Sequence, residues 1–309
     1  VRIIYGFNEI GDIRNAVVTT GSFDGVHIGH KVILQRLKKL AVETGGETVV
    51  ITFHPHPRKV LYPESNGKDL LLINSQREKI ALLEKAGLDN LIVIEFTLEF
   101  SKITSFDFVK NILLNKLHAR KIVIGHNHHF GYNREGDHDS LRKLGVNWGF
   151  DVEEIPEQDI QNESVSAAKI RKALHEGNIQ KANAYLDHQY IIMGPAQKSN
   201  PDLEEIGFPC YTIKIEEDCK LVPPNGVYAV TVVREENFSR AMCFIRKNLQ
   251  KTIDTLVEVH LFKQFGNLEG GIVTLLFHKR MREERIFRNT EDLQKQLILD
   301  KKEIEELNF

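Results

Sequence analysis

Up to about position 186, nearly continuous apolar runs alternate with stretches in which apolar residues recur every three or four positions. AVVTTG (16–21), ETVVITF (47–53), NLIVIEF (90–96) and RKIVIG (120–125) are short runs rich in β-branched residues, as expected of strands buried on both faces of a parallel sheet. Between them, Ile33, Leu34, Leu37, Leu40 and Ala41 follow helical spacing, and Ser75 with Glu78 forms a capping box ahead of IALLEKAG. The order β-α-β-α-β predicts a doubly wound α/β domain, in which ligands bind outside the carboxyl ends of the strands. Past residue 187 the texture changes. QYIIMG, YTIKI, GVYAVTVV, AMCFI, LVEVHLF and GIVTLLF are strand-like pieces separated by turn residues, which predicts a small antiparallel β-barrel. One helix, TEDLQKQLILDKKEIEEL, closes the chain, with Leu293, Leu297 and Ile304 on its expected buried face and its charged residues in solvent. The division is therefore expected at 1–186 and 187–309.

Composition narrows the class of partner. With 41 Lys plus Arg against 43 Asp plus Glu, the formal charge of -2 argues against a dedicated nucleic-acid binder and for small-molecule partners. No run approaches the roughly 20 apolar residues needed to span a bilayer, and the opening VRIIYGFNEIGD has no basic-then-apolar secretion pattern, so no membrane partner and a cytoplasmic location are expected. The three cysteines, Cys210, Cys219 and Cys243, have no CxxC spacing, which fits a reducing compartment better than a disulfide framework or a zinc site.

The candidate chemistry follows the first predicted strand of the domain. GSFDGVHIGHKVIL (21–34) is a glycine-rich turn that delivers His27 and His30 to the start of a helix. A helix N-terminus offers unpaired N–H groups and a partial positive charge, so such a turn is suited to hold a phosphate. Gly21, Gly25 and Gly29 allow close backbone approach, and two imidazoles three residues apart can donate hydrogen bonds to a phosphate whose charge grows during attack. Two plainer readings stand beside this one. The histidines could cap the helix and fill a polar crevice, or join His54, His56, His126, His128 and His129 in a metal site, although no carboxylate or thiolate at ligand spacing completes one.

GSFDGVHIGH resembles the HxGH signature of the nucleotidyltransferase superfamily. Together with TFHPHPRKVL (52–61), GHNHHFGYNREGD (125–137), VSAAKIRKAL (165–174), IGFPCYTIKI, PPNGVYAV and EVHLF, the chain is similar nearly end to end to the prokaryotic bifunctional riboflavin kinase/FMN adenylyltransferase (FAD synthetase) family. The resemblance implies an HxGH nucleotidyltransferase domain that transfers AMP from ATP to FMN, releasing pyrophosphate with Mg2+ required, followed by a riboflavin kinase-like barrel that would add riboflavin as a substrate. By the same resemblance His27 and His30 stabilise the triphosphate, Asn127 and Arg171 contact nucleotide phosphates, and Gly21, Phe23, Asp24, Gly25, Gly29 and Ser166 bind the nucleotide. His56 and Pro57 lie at the flavin side, and Glu258 matches the catalytic base of the kinase half. Among the aromatic residues near the strand ends, Phe130, between a histidine and a glycine in an expected loop, is the one chosen to face the flavin. Without the resemblance, Arg171 reads as a surface helix residue, and Asn127 could be only a turn residue.

Departures from the family pattern bear on activity. Ser166, Ala167 and Ala168 stand where the family shows Ser-Ser-Thr, so two hydroxyls expected on the ATP phosphates are missing. Leu203 and Glu204 replace a Gly-Arg pair, and Cys210, Tyr211 and Thr212 replace the Thr-Ala-Asn that helps hold Mg2+ and phosphates. A thiol is a poor ligand for a hard cation, and Glu204 adds negative charge where phosphates would sit. The expectation is adenylyl transfer with a weak or inactive kinase half. The alternatives are a non-catalytic flavin- or nucleotide-binding relative, and an HxGH transferase acting on another phosphate ester.

Overall fold

A computed structural model describes residues 1–126, 128–160, 163–199, 201–247 and 255–309. The chain divides into two compact units, Val1–Leu70 with Lys79–Ser166, and Leu71–Glu78 with Ala167–Phe309.

The first unit is built on a six-stranded, all-parallel sheet of β1 (Arg2–Tyr5), β2 (Val17–Thr20), β3 (Thr48–His54), β4 (Asn90–Glu95), β5 (Lys121–Gly125) and β6 (Asp151–Ile155), in the order β1-β4-β3-β2-β5-β6. All four strands expected from the apolar runs are present. Their side chains alternate between two hydrophobic clusters: Val18, Val49, Ile51, Ile92 and Ile124 on one face, and Val17, Val50, Leu91 and Val123 on the other. Burial on both faces is why these strands are apolar throughout. The two edge strands were not foreseen. β1 is only four residues long, and β6 carries Asp151, Glu153 and Glu154, of which Asp151 pairs with Lys121 (2.9 Å) and Glu153 with Arg36 (2.5 Å), while Glu154 lies 3.2 Å from His126 Nδ1. Among the crossover segments, α1 (Ile28–Thr44) buries the five apolar residues expected of it, Ile33, Leu34, Leu37, Leu40 and Ala41, and ends at Gly45 in the left-handed region. This unit also contains α2 (Pro57–Leu61), most of α3 (Gln76–Lys85), the short α4 (Ser105–Asp107) running into a π-helical turn at Phe108–Leu114, α5 (His138–Trp148), 3-10 turns at Phe100–Lys102 and Tyr132–Arg134, and a small hairpin of β7 (Asp159–Ile160) and β8 (Glu163–Ser164).

The second unit is a closed antiparallel barrel of β9 (Tyr190–Lys198), β10 (Tyr211–Ile213), β11 (Gly226–Arg234), β12 (Asn237–Lys247), β13 (Thr255–Leu261) and β14 (Ile272–Glu283), in the order β10-β13-β12-β11-β14-β9. Each of the six strand-like pieces corresponds to one of these strands. With the barrel go α6 (Ala167–His175), α7 (Ile179–Leu186), the short α8 (Pro201–Glu205) and α9 (Thr290–Glu306).

This partition differs from the expected division at 186/187, and hydrogen bonding gives the reason. The side-chain amide of Asn183 on α7 donates to the Phe277 carbonyl of β14 (2.8 Å), and its oxygen accepts from the Tyr190 N–H of β9 (2.7 Å). Residues 71–78 join the barrel through Leu72, whose N–H donates to the Cys219 carbonyl and whose carbonyl accepts from Leu221, both at 2.7 Å. The Ser75–Glu78 capping box forms as expected, with Ser75 N–H on Glu78 Oε2 (2.9 Å) and Glu78 N–H on Ser75 Oγ (3.2 Å). On α9, Leu297 and Ile304 are buried and Leu293 only half-buried. Asp300, placed in solvent by the sequence reading, is instead buried, because the Arg282 fork holds its carboxylate at 2.7–3.0 Å.

Candidate active site

The sheet order places a topological switch point between β2 and β5, whose following turns lead to opposite faces. A cavity of about 300 Å³ opens there, lined by the β2–α1 turn (Thr20, Gly21, Ser22, Phe23, His27, Gly29, His30, Ile33), the end of β5 (Gly125, His126, His128), and the chain after β6 (Ile155–Gln158 and Val165).

The β2–α1 turn is tightly specified. Phe23, Gly25 and Val26 all have positive φ, at +50°, +89° and +42°. Only Gly25 adopts that conformation readily, and Phe23 and Val26 are held in it while almost wholly buried. Asp24 between them is buried as well. His27 occupies the N-cap of α1 with extended backbone, yet its side chain makes no capping bond, and the first turn contains no acidic residue. The His27 imidazole therefore does not cap the helix, and the dipole of the helix start favours an anion there.

The His27 and His30 rings stack 3.7 Å apart at 21°, and His30 in turn lies against Phe23 at 4.8 Å. A Cβ on Gly29 would stand 3.2 Å from the His27 ring, so a glycine there leaves the ring its place. Burial holds the His30 pKa well below that of an ordinary histidine, with further lowering from the charges of His27 and Lys79, so His30 is neutral at pH 7. Its Nδ1 is buried with no hydrogen-bond partner among the described residues. A polar atom desolvated in this way costs stability unless a ligand engages it.

Across the cavity, His128 has the same character. Its Nε2 is buried without a hydrogen-bond partner among the described residues, and burial, followed by the charges of His129 and Arg134, lowers its pKa to about 4. Sequence reading considered His128 only as a metal candidate, and missed Ile155–Gln158 altogether. Recognising β6 as a strand would have marked 155–158 as a carboxyl-end loop. Phe130 is half-buried against the core, 6.0 Å from the Phe108 ring and 6.0 Å from the His128 ring, and it pairs through its backbone with Gly136. That packing anchors the loop.

His56 and Pro57 lie outside the residues lining this cavity, at the start of α2, where His56 Nδ1 accepts the Arg58 N–H (3.2 Å) and Pro57 takes the first helical position. Ser166 closes the first unit and is half-buried, while Arg171 sits half-buried on α6 in the second. Asn127 lies outside the described residues. Among those described, no group of three or more His, Cys, Asp or Glu is arranged to hold a metal ion.

In the second unit, Glu258 lies on β13 opposite Thr212 of β10 and is 1% exposed. Both of its oxygens are engaged: Arg246 Nε donates to Oε2 (2.6 Å) and Ser199 Oγ to Oε1. Cys210 is buried in an apolar cluster with Phe208, Val227, Met242, Phe244, Leu297 and Ile304, and its Sγ contacts the Phe208 carbonyl. Burial, with Glu258 adding to it, raises the Cys210 thiol pKa, so no thiolate is present at neutral pH. Arg246 and Ser199 were not singled out from sequence, because their partner is set by barrel closure.

Comparison with known proteins agrees with this architecture. The FAD synthetase family model matches residues 10–169 and the riboflavin kinase model residues 186–308, leaving only the stretch around α6 and α7 between them. The bifunctional riboflavin kinase/FMN adenylyltransferase of Buchnera aphidicola subsp. Acyrthosiphon pisum is 32% identical, over 97% of this chain and 96% of its own. That of Pseudomonas fluorescens is 31% identical, over 93% and 91%. The crystal structure of a macrolide-efflux protein from Streptococcus pneumoniae has the same fold, with a TM-score of 0.88 at 25% identity over the whole of both chains. The description of that protein as an efflux protein is its own; among the residues described here, no helix is long and apolar enough to cross a membrane. With a parallel-sheet unit carrying paired histidines at a helix start, a closed barrel following it along the chain, and relatives matched along nearly the whole sequence, this chain belongs to the bifunctional riboflavin kinase/FMN adenylyltransferase family.

Proposed function

We propose that this chain is an FMN adenylyltransferase that makes FAD from ATP and FMN, and that its barrel half is a poor riboflavin kinase. The observation carrying the first part is the cavity at the switch point, where neutral His30 stacks on His27 beside the start of α1. In the reaction a phosphate oxygen of FMN attacks the α-phosphorus of ATP. A new P–O bond forms, the bond to the bridging oxygen breaks, and pyrophosphate leaves. No side chain has to act as nucleophile, so the protein contributes position and hydrogen-bond donors for the charge that builds on the phosphates. A neutral imidazole donates through its ring N–H, and the helix start adds backbone N–H groups.

Asn127 and Arg171 keep the phosphate roles that the family resemblance gives them, and His56, Pro57 and Phe130 the flavin side. The core packing of Phe130 makes it the weakest of these assignments. Among the cavity's side chains only Thr20, Ser22, Glu157 and Gln158 offer oxygens to a cation, and only Glu157 carries a charge, so Mg2+ would arrive on the triphosphate, where it would neutralise phosphate charge. The net charge of -2 fits small-molecule rather than nucleic-acid partners. Incubation with ATP, Mg2+ and FMN tests the reading: FAD and pyrophosphate are expected in equal amounts. Bound but unchanged FMN would favour the alternative of a non-catalytic binding relative, which the absence of hydroxyls at Ala167 and Ala168 recommends.

The barrel reading rests on Glu258. A general base must present an oxygen to the proton it removes. Here one Glu258 oxygen accepts from Arg246 and the other from Ser199, so both are engaged by the protein's own donors, and Cys210 lies in hydrocarbon where a hard metal ligand would be needed. Riboflavin is expected to remain largely unphosphorylated by the purified protein under conditions in which FMN is adenylylated.

A further inference from the structure

The strained turn that carries His27 and His30 is tied down from outside by a residue to which neither the sequence reading nor the family comparison assigns a role. Lys79, on α3, is buried, and its ammonium donates to two backbone carbonyls: Ser22 in the turn (3.3 Å) and Phe53 near the end of β3 (3.1 Å). Thr52 Oγ1 donates to the same Ser22 carbonyl (3.3 Å). In a planar trans peptide the C=O and N–H point in opposite directions. Anchoring the Ser22 carbonyl therefore aims the Phe23 N–H away from Lys79, and Ser22 and Phe23 both line the cavity. The anchored carbonyl immediately precedes Phe23, whose φ of +50° is sterically unfavourable for a bulky residue and persists only when its surroundings impose it.

We propose that Lys79 is a positioning residue of the adenylyl-transfer site. Through the Ser22 carbonyl it holds the β2–α1 turn in the form that presents backbone N–H groups and His30 to the phosphates, and it adds a fixed positive charge behind them. This rests on the reading of the cavity as a phosphate site. The ligand it serves is the polyphosphate of a nucleotide, not the base.

The test compares Lys79→Met and Lys79→Arg with the wild type by calorimetry, using pyrophosphate, ATP and adenosine as probes. Loss of charge-assisted hydrogen bonds to the turn should weaken pyrophosphate and ATP binding by roughly tenfold to a hundredfold in Lys79→Met. Adenosine binding should stay within about twofold, and Lys79→Arg should recover most of the loss, because guanidinium retains the charge and donors. Equal weakening of adenosine and ATP, or unchanged pyrophosphate binding in a folded Lys79→Met protein, would overturn the proposal. If Lys79→Met fails to fold, Lys79→Gln, which keeps a donor without the charge, takes its place with the same expectations and the same overturning results. The comparison does not need turnover. A wild-type protein that binds pyrophosphate but makes no FAD would refute the adenylyltransferase reading while leaving the Lys79 question decided by the variants.

Discussion

At the scale of single residues, the cavity holds two imidazoles, His30 and His128, kept neutral by burial. Neutral His30 can donate to phosphate oxygens without a fixed charge of its own, and replacing it with Ala should slow adenylyl transfer by roughly two to three orders of magnitude, as for loss of a preorganised donor. A rate within a few-fold of wild type would remove His30 from the site. Buried histidines also set a dependence of stability on pH. His128 and His278 both have folded pKa values of about 4, below the ordinary 6.5, chiefly through burial, so the unfolded chain binds more protons between those values. The stability they support is present above about pH 6.5 and is lost as pH falls towards 4. Urea denaturation at a series of pH values should show this fall, with a shallower slope in His278→Gln. His27 and His30 could be read directly from the sequence, because turn, glycines and histidines are contiguous. Lys79 and His128 could not, because the carbonyls that Lys79 meets and the cavity that His128 lines come from segments tens of residues away.

At the scale of elements, apolar periodicity located the central strands, α1 and all six barrel strands, since burial on both faces, on one stripe or on one side each leaves a repeat in the chain. It failed where charge pairing replaces burial. β6 is an edge strand whose Asp151 and Glu153 pair with Lys121 and Arg36, and α9 contains Asp300 in a bidentate pair with Arg282. The first turn of α3 is a third instance. Glu78, expected only to cap its helix, is fully buried and paired with equally buried Lys220 at 2.7 Å. Lys220 Nζ also donates to the Ile73 and Ile191 carbonyls and lies 4.3 Å from the Tyr190 ring centroid. Removing one partner strands the other charge in the interior. Glu78→Gln should therefore cost about 3–5 kcal/mol in urea unfolding, as for other broken buried pairs. A loss below about 1 kcal/mol would mean that water reaches the site.

At the scale of the whole molecule, two matched family models predict two separable activities, whereas the local chemistry of the halves does not look equally intact. A side-by-side assay with FMN and with riboflavin should give FAD from the first and little FMN from the second; vigorous phosphorylation of riboflavin would show that Arg246 and Ser199 release Glu258 when substrate binds. The sequence by itself determined the fold class, the order of its two architectures, and the glycine-rich turn with its histidines, because these rest on local repeats and contiguous motifs. Only the tertiary structure decided that 71–78 and α6–α7 pack with the barrel, that the His27 imidazole does not cap its helix, and that both Glu258 oxygens are engaged. Each of these depends on which distant donor or acceptor satisfies a buried polar group, and that matching exists only once the chain has closed on itself.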